Sequence, residues 1–171
     1  DANNGISHVS SATQWIQNIL KENPNTTEKV SVVHNGIIEN SDELKKELES
    51  KGIKFKSQTD TEVITLLITE ALKKNKPLES VFNTLGKLKG SFALGIIFKD
   101  FPDIIIGARR GSPLAVGYSN KENYLGSDSY ALKSMTNKIS YLDDGELCIL
   151  KKNEVSFYDS KKNKINKKIH I

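Results

Sequence analysis

The chain has 171 residues, with 25 Lys and Arg against 21 Asp and Glu, a formal charge of +4 and 37% hydrophobic residues. That suits a single domain with a buried core and excludes wholesale disorder. The single cysteine, Cys148, excludes an internal disulfide framework and a multi-cysteine zinc site, and fits a reducing, cytoplasmic setting.

In chain order, Asp1–Gly5 reads as a turn and Ile6–Ser11 as extended. Trp15, Ile16, Ile19 and Leu20 recur at helical spacing and predict a helix over Thr13–Glu22, closed by Asn23-Pro24. Val30–Val33 is a short β-branched run leading into His34-Asn35-Gly36. Ser41 with Asp42 and Glu43 marks a helix start, and Gly52 its end. Thr59-Asp60-Thr61-Glu62 matches a capping box ahead of Val63, Ile64, Leu67, Ile68, Ala71 and Leu72. Pro77 opens a further helix with Leu78, Val81, Phe82, Leu85 and Leu88.

Past Gly90 the pattern changes to short strands. They are expected at Ser91–Phe98, Asp103–Ala108, Leu114–Tyr118, Tyr124–Gly126, Ile139–Leu142, Leu147–Lys151 and Val155–Tyr158. The runs that are apolar throughout, such as Ile104-Ile105-Ile106, point to strands covered on both faces. A block of helices followed by a block of strands indicates an α+β layered domain. The last eleven residues, 161–171, carry five Lys and read as a linker or frayed end. Of the 25 basic residues only Arg109 and Arg110 are Arg, and no aromatic residues interleave with the lysines, so no nucleic-acid partner is expected. No run approaches the roughly 20 apolar residues of a membrane span, and the start is not a signal peptide, so no membrane partner is expected either.

Several groups admit two chemical readings. Asn35-Gly36 after a strand is the common signature of a tight turn. Alternatively, the Asn amide and the Gly N–H converge on one oxygen as an oxyanion site. Asp60 is either a first-turn acid facing the helix dipole or a carboxylate for a substrate ammonium. Gly107-Ala108-Arg109-Arg110-Gly111-Ser112-Pro113 reads as a structural turn before a phosphate cradle, since its spacing is not that of a P-loop. Cys148, inside a strand pattern, reads as a small hydrophobe. His8 and His170 have no companions at ligand spacing, so neither a metal nor another cofactor is expected.

Taken together, Val32-Val33-His34-Asn35-Gly36-Ile37-Ile38-Glu39-Asn40 and Gln58-Thr59-Asp60-Thr61-Glu62-Val63-Ile64 resemble the glutaminase domain of the isomerising glutamine–fructose-6-phosphate aminotransferases, a class II amidotransferase family. Arg110-Gly111-Ser112-Pro113-Leu114, Gly126–Leu132, Leu142–Glu146 and Val155–Asp159 fit the same pattern in order. The resemblance implies an Ntn-hydrolase-like four-layer α/β/β/α sandwich with two mostly antiparallel sheets. It implies attack on the glutamine amide by an N-terminal Cys thiolate, with Asn35 and Gly36 holding the oxyanion and Asp60, beside Gly36, binding the substrate. The implied partners are glutamine, a sugar-isomerase domain of the same polypeptide that makes glucosamine 6-phosphate, and a second copy joined through that domain.

The chain departs from the family pattern at position 1, which is Asp rather than Cys, and in the Thr-Arg-Trp-Ala-Thr-His-Gly segment, expected between Pro24 and Val30. The domain is therefore expected over 1–160, incomplete at its N-terminus and between 24 and 30, with 161–171 as tail. The alternative is a non-catalytic glutamine-binding or regulatory homologue that has lost the nucleophile.

Overall fold

Two stacked antiparallel sheets organise the chain in a computed structural model that describes residues 7–8, 26–120 and 122–171. The helix expected over Thr13–Glu22 and the turn at Asp1–Gly5 lie outside the described residues. The strands are β1 (Ser7–His8), β2 (Val30–Ile38), β3 (Gly90–Phe98), β4 (Phe101–Arg110), β5 (Ala115–Tyr118), β6 (Asn123–Gly126), β7 (Lys138–Tyr141), β8 (Leu147–Leu150), β9 (Val155–Tyr158) and β10 (Lys164–Ile165). The helices are α1 (Ser41–Ser50), α2 (Asp60–Ala71), α3 (Pro77–Lys87) and the single turn α4 (Ser129–Leu132). One sheet runs β1-β6-β5-β7 and the other β10-β9-β8-β4-β3-β2.

The two-residue period of a strand decides which layer each side chain joins. On β3, Phe92, Leu94, Ile96 and Phe98 pack with Val63, Ile64, Leu67, Ile68, Val81 and Phe82 of the helices. Their neighbours Ala93 and Ile97 turn the other way, toward Leu114, Val116 and Leu125 of the second sheet. Leu147 and Cys148 on β8 divide in the same manner. Both faces of the six-stranded sheet are thus covered, which is why its central strands are apolar without alternation. On the outer face of the four-stranded sheet, Ala115 and Ile139 pack against Leu132 of α4. The order is helices, sheet, sheet, helix: an α+β sandwich whose described strand pairings are all antiparallel.

Three local expectations change. Ser41 is the first residue of α1 rather than its cap; Asn40 precedes it and makes no side-chain cap bond. The Asn40 side chain instead donates to Lys87 O (2.8 Å) and accepts from Lys89 N (2.9 Å), tying α1 to the α3–β3 junction. At α2, Thr59 accepts from Glu62 N as the capping box requires. Glu62, however, reaches past Thr59 to accept from Lys56 N (2.8 Å) and Ser57 N (2.7 Å). Finally, the Lys-rich stretch 161–171 pairs with both sheets. β10 lies on β9, and His170 exchanges backbone hydrogen bonds with Ile139 beside it on β7.

Candidate functional site

Among the described strands β2 is the outermost of the six-stranded sheet, so one of its edges faces away from β3. Around its two ends, Lys99 N donates to Lys29 O (2.9 Å) and Glu39 N to Lys89 O (2.8 Å). Odd-numbered residues therefore turn their backbone groups toward β3 and even-numbered ones toward the outer edge. At that edge Val30 N meets Thr27 Oγ1 (3.1 Å), and Ile38 N donates to Asp60 Oδ2 (3.3 Å). Gly36 shares this parity, so its N–H aims outward between them. Asn35, exposed like Gly36, projects from the face that Val33 shares, toward the second sheet.

Gly36 is a backbone requirement as much as a chemical one. Its φ is +106°, and a Cβ there would lie 2.1 Å from Ser91 O and 2.8 Å from Phe92 Cα. Only glycine permits this close β2–β3 approach with a left-handed φ. Gly111, at φ +81°, repeats the constraint: a Cβ would fall on Ser91 Oγ, and its N–H donates to Asp144 Oδ1 (2.6 Å).

Asp60 is the first residue of α2 and is half-buried: it is a first-turn acid, anchored beside the outer edge of β2. One oxygen is engaged by Ile38 N, and Oδ1 makes no hydrogen bond among the described residues. Behind the strand, His34 Nδ1 pairs with Thr61 Oγ1 (3.0 Å), while its Nε2 is buried without a partner among the described residues. Burial lowers the His34 pKa, against the opposing pull of the Asp60 charge and a backbone hydrogen bond at Gly36. The structure thus ties Asp60, through Ile38, to the strand that carries Asn35 and Gly36. It adds two residues that sequence reasoning missed: Thr61, which holds His34, and Ile37, the exposed neighbour of Gly36. Each was legible only as part of the motif string, with no separate chemical signal.

The arginine pair is structural. Arg110 donates to Leu88 O (2.6 Å) and Leu85 O (2.9 Å), capping the end of α3, and its guanidinium stacks 5.0 Å from the Phe92 ring. Arg109 donates to Leu142 O (2.6 Å) and Gly111 O (3.4 Å). Donors committed to carbonyls in this way do not form a phosphate cradle. Cys148 is fully buried between the sheets, and burial pushes its thiol up to about 12, far from the thiolate that a nucleophile requires. Among the described residues no cluster of three or more His, Cys, Asp or Glu is placed to hold a metal ion, and no helix is long and apolar enough to cross a membrane.

Comparison with known proteins adds an independent line. Residues 11–134 match the model of the glutamine amidotransferase domain family. The chain is 47% identical over 156 residues to the glutamine–fructose-6-phosphate aminotransferase (isomerising) of Bradyrhizobium diazoefficiens, covering 91% of this chain and 26% of that protein. With the same enzyme from Mesorhizobium japonicum it is 44% identical over 169 residues, covering 98% and 28%. The chain therefore spans about a quarter of the length of these curated relatives. Among solved structures, glutamine phosphoribosylpyrophosphate amidotransferase from B. subtilis superposes with a TM-score of 0.67 at 26% identity, over 79% of this chain and 30% of that one. A glutamine aminotransferase class-II domain protein from Silicibacter pomeroyi shares the fold at a TM-score of 0.62 and 15% identity, over 76% and 66%. From the family match and these identities, the chain belongs to the glutamine amidotransferase domain family, as a class II glutaminase-type domain related to the glutamine–fructose-6-phosphate aminotransferases.

Proposed function

We propose that this domain hydrolyses the side-chain amide of glutamine and supplies the ammonia for glucosamine 6-phosphate synthesis by a sugar-isomerase portion of a longer polypeptide. The observation that carries the reading is the outer edge of β2 at Gly36 and Ile38. There Asp60 is hydrogen-bonded to Ile38 N, two residues past Gly36, whose N–H turns outward beside the exposed Asn35. The two donors would hold the oxyanion of a tetrahedral intermediate, and Asp60 the α-ammonium of the substrate. Identity of 44–47% to enzymes named for glutamine and fructose 6-phosphate supports the same substrates. The attacking thiolate in this chemistry bears a free α-amino group, a role that the buried Cys148 does not fill.

The test is glutamate release from glutamine by the full-length protein. Asn35→Ala should lower kcat by about 10²–10³ with a smaller change in KM, the signature of a lost oxyanion donor. Unchanged turnover would remove Asn35 from this role. The competing reading is a glutamine-binding domain without turnover. Saturable glutamine binding with no glutamate release from the full-length protein would establish it.

A further inference from the structure

We infer that Ile37 is a specificity contact of the glutamine site, packing on the methylene carbons of the substrate and setting its preference for glutamine over asparagine. This rests on the reading of Asn35, Gly36 and Asp60 given above. Ile37 is 68% exposed, on the strand where Val30 and Val32 are buried and Ile38 is 2% exposed. Alternation puts its side chain on the Asn35 face. Its position along the strand is between the two groups assigned to opposite ends of the substrate: the Gly36 N–H on one side, and the Ile38 N–H that anchors Asp60 at 3.3 Å on the other. At roughly 3.3 Å of rise per residue, those two outward N–H groups are about 6.6 Å apart.

A γ-carboxamide whose oxygen sits at Gly36 and whose ammonium reaches Asp60 must bridge that span with its side-chain carbons, which then pass Ile37. Glutamine has two methylenes for the purpose. Asparagine has one and reaches only one of the two polar anchors at a time. An apolar surface at 37 rewards the longer chain, because its methylenes leave water while both ends stay hydrogen-bonded. The spacing of the two anchors by itself disfavours asparagine, and Ile37 adds an apolar contact that only the longer side chain fills.

Isothermal titration of the full chain with L-glutamine and L-asparagine tests the inference, using wild type, Ile37→Val and Ile37→Ala. Because residue 37 is exposed, both variants are expected to keep the wild-type melting temperature. Ile37→Ala should weaken glutamine about 5- to 10-fold, leave asparagine within about twofold, and so narrow the preference. Ile37→Val should stay within about twofold of wild type for both ligands. Wild-type glutamine affinity in Ile37→Ala overturns the role of Ile37 while leaving the glutamine site intact. Absence of glutamine binding to the wild-type protein overturns the reading of the site itself, and this inference with it.

Discussion

His34 stands beneath the backbone that presents Gly36, and its burial fixes its proton count. An unfolded histidine titrates near 6.5, whereas burial lowers the folded value. Between those two values the unfolded chain binds a proton that the folded chain refuses, so stability falls as pH falls. The contribution is complete above about pH 6.5 and is lost as pH drops through the folded pKa. Denaturation midpoints measured between pH 7.5 and 5 should therefore decline. His34→Gln, whose amide can still meet Thr61, should lose that part of the slope; an unaltered slope would assign the pH dependence to another group. At this scale the motif string exposed Asn35, Gly36 and Asp60. It gave no sign of the His34–Thr61 bond or of the Asp60–Ile38 bond, because each joins residues more than twenty apart in sequence. Side-chain partners of that kind are decided by how a helix start meets a strand edge, which no local pattern encodes.

Helix and strand types were legible where periodicity was strong, and less so where polar side chains had a choice of partner. Asn40 and Ser41 both satisfy the rules for a helix start, and a distant junction at Lys87 and Lys89 claims the Asn. The four-residue α4 and the two-residue β10 are too short to carry a period. Glu62 shows the same competition with a larger energetic stake. It is 7% exposed and accepts from two backbone N–H groups and from Ser57 Oγ (2.7 Å), closing the loop before α2. Hydrogen bonds to a charged acceptor contribute about 1.5–3 kcal/mol each. Glu62→Gln removes the charge and turns an NH₂ toward those donors, so it should destabilise by about 2–3 kcal/mol in urea titration. A loss below about 0.5 kcal/mol would show that the loop holds its shape without this carboxylate.

Across the whole molecule, a layered α+β domain was readable from the hydrophobic pattern, and the family resemblance implied the two-sheet sandwich: apolar runs without alternation require cover on both faces, and a layer of helices and a second sheet provide it. The closing strap was not readable, because a Lys-rich end looks the same whether it is solvated or docked. From β10 on the six-stranded sheet, the chain crosses to β7 on the four-stranded sheet, where Ser140 Oγ donates to Lys168 O (2.7 Å). Midway, Lys167 Nζ lies 2.7 Å from Glu146 and 2.9 Å from Asp143. Asp143 is 79% exposed and contributes little, but the Lys167 and Glu146 side chains are only 12% and 11% exposed. Burial alone would lower the Lys167 pKa; the hydrogen bonds to Glu146 and Asp143 outweigh it and hold the pKa raised. The stabilisation is therefore complete at neutral pH and is lost only as pH climbs through the folded lysine value. Lys167→Met leaves Glu146 half-desolvated without its cation and should cost about 1–3 kcal/mol at pH 7. Adding Glu146→Gln removes the stranded charge, so the double variant should be more stable than Lys167→Met alone. Urea midpoints of the four proteins decide the matter: strictly additive losses would mean that the strap is held by β10 and His170, with no net contribution from the ion pair at its centre.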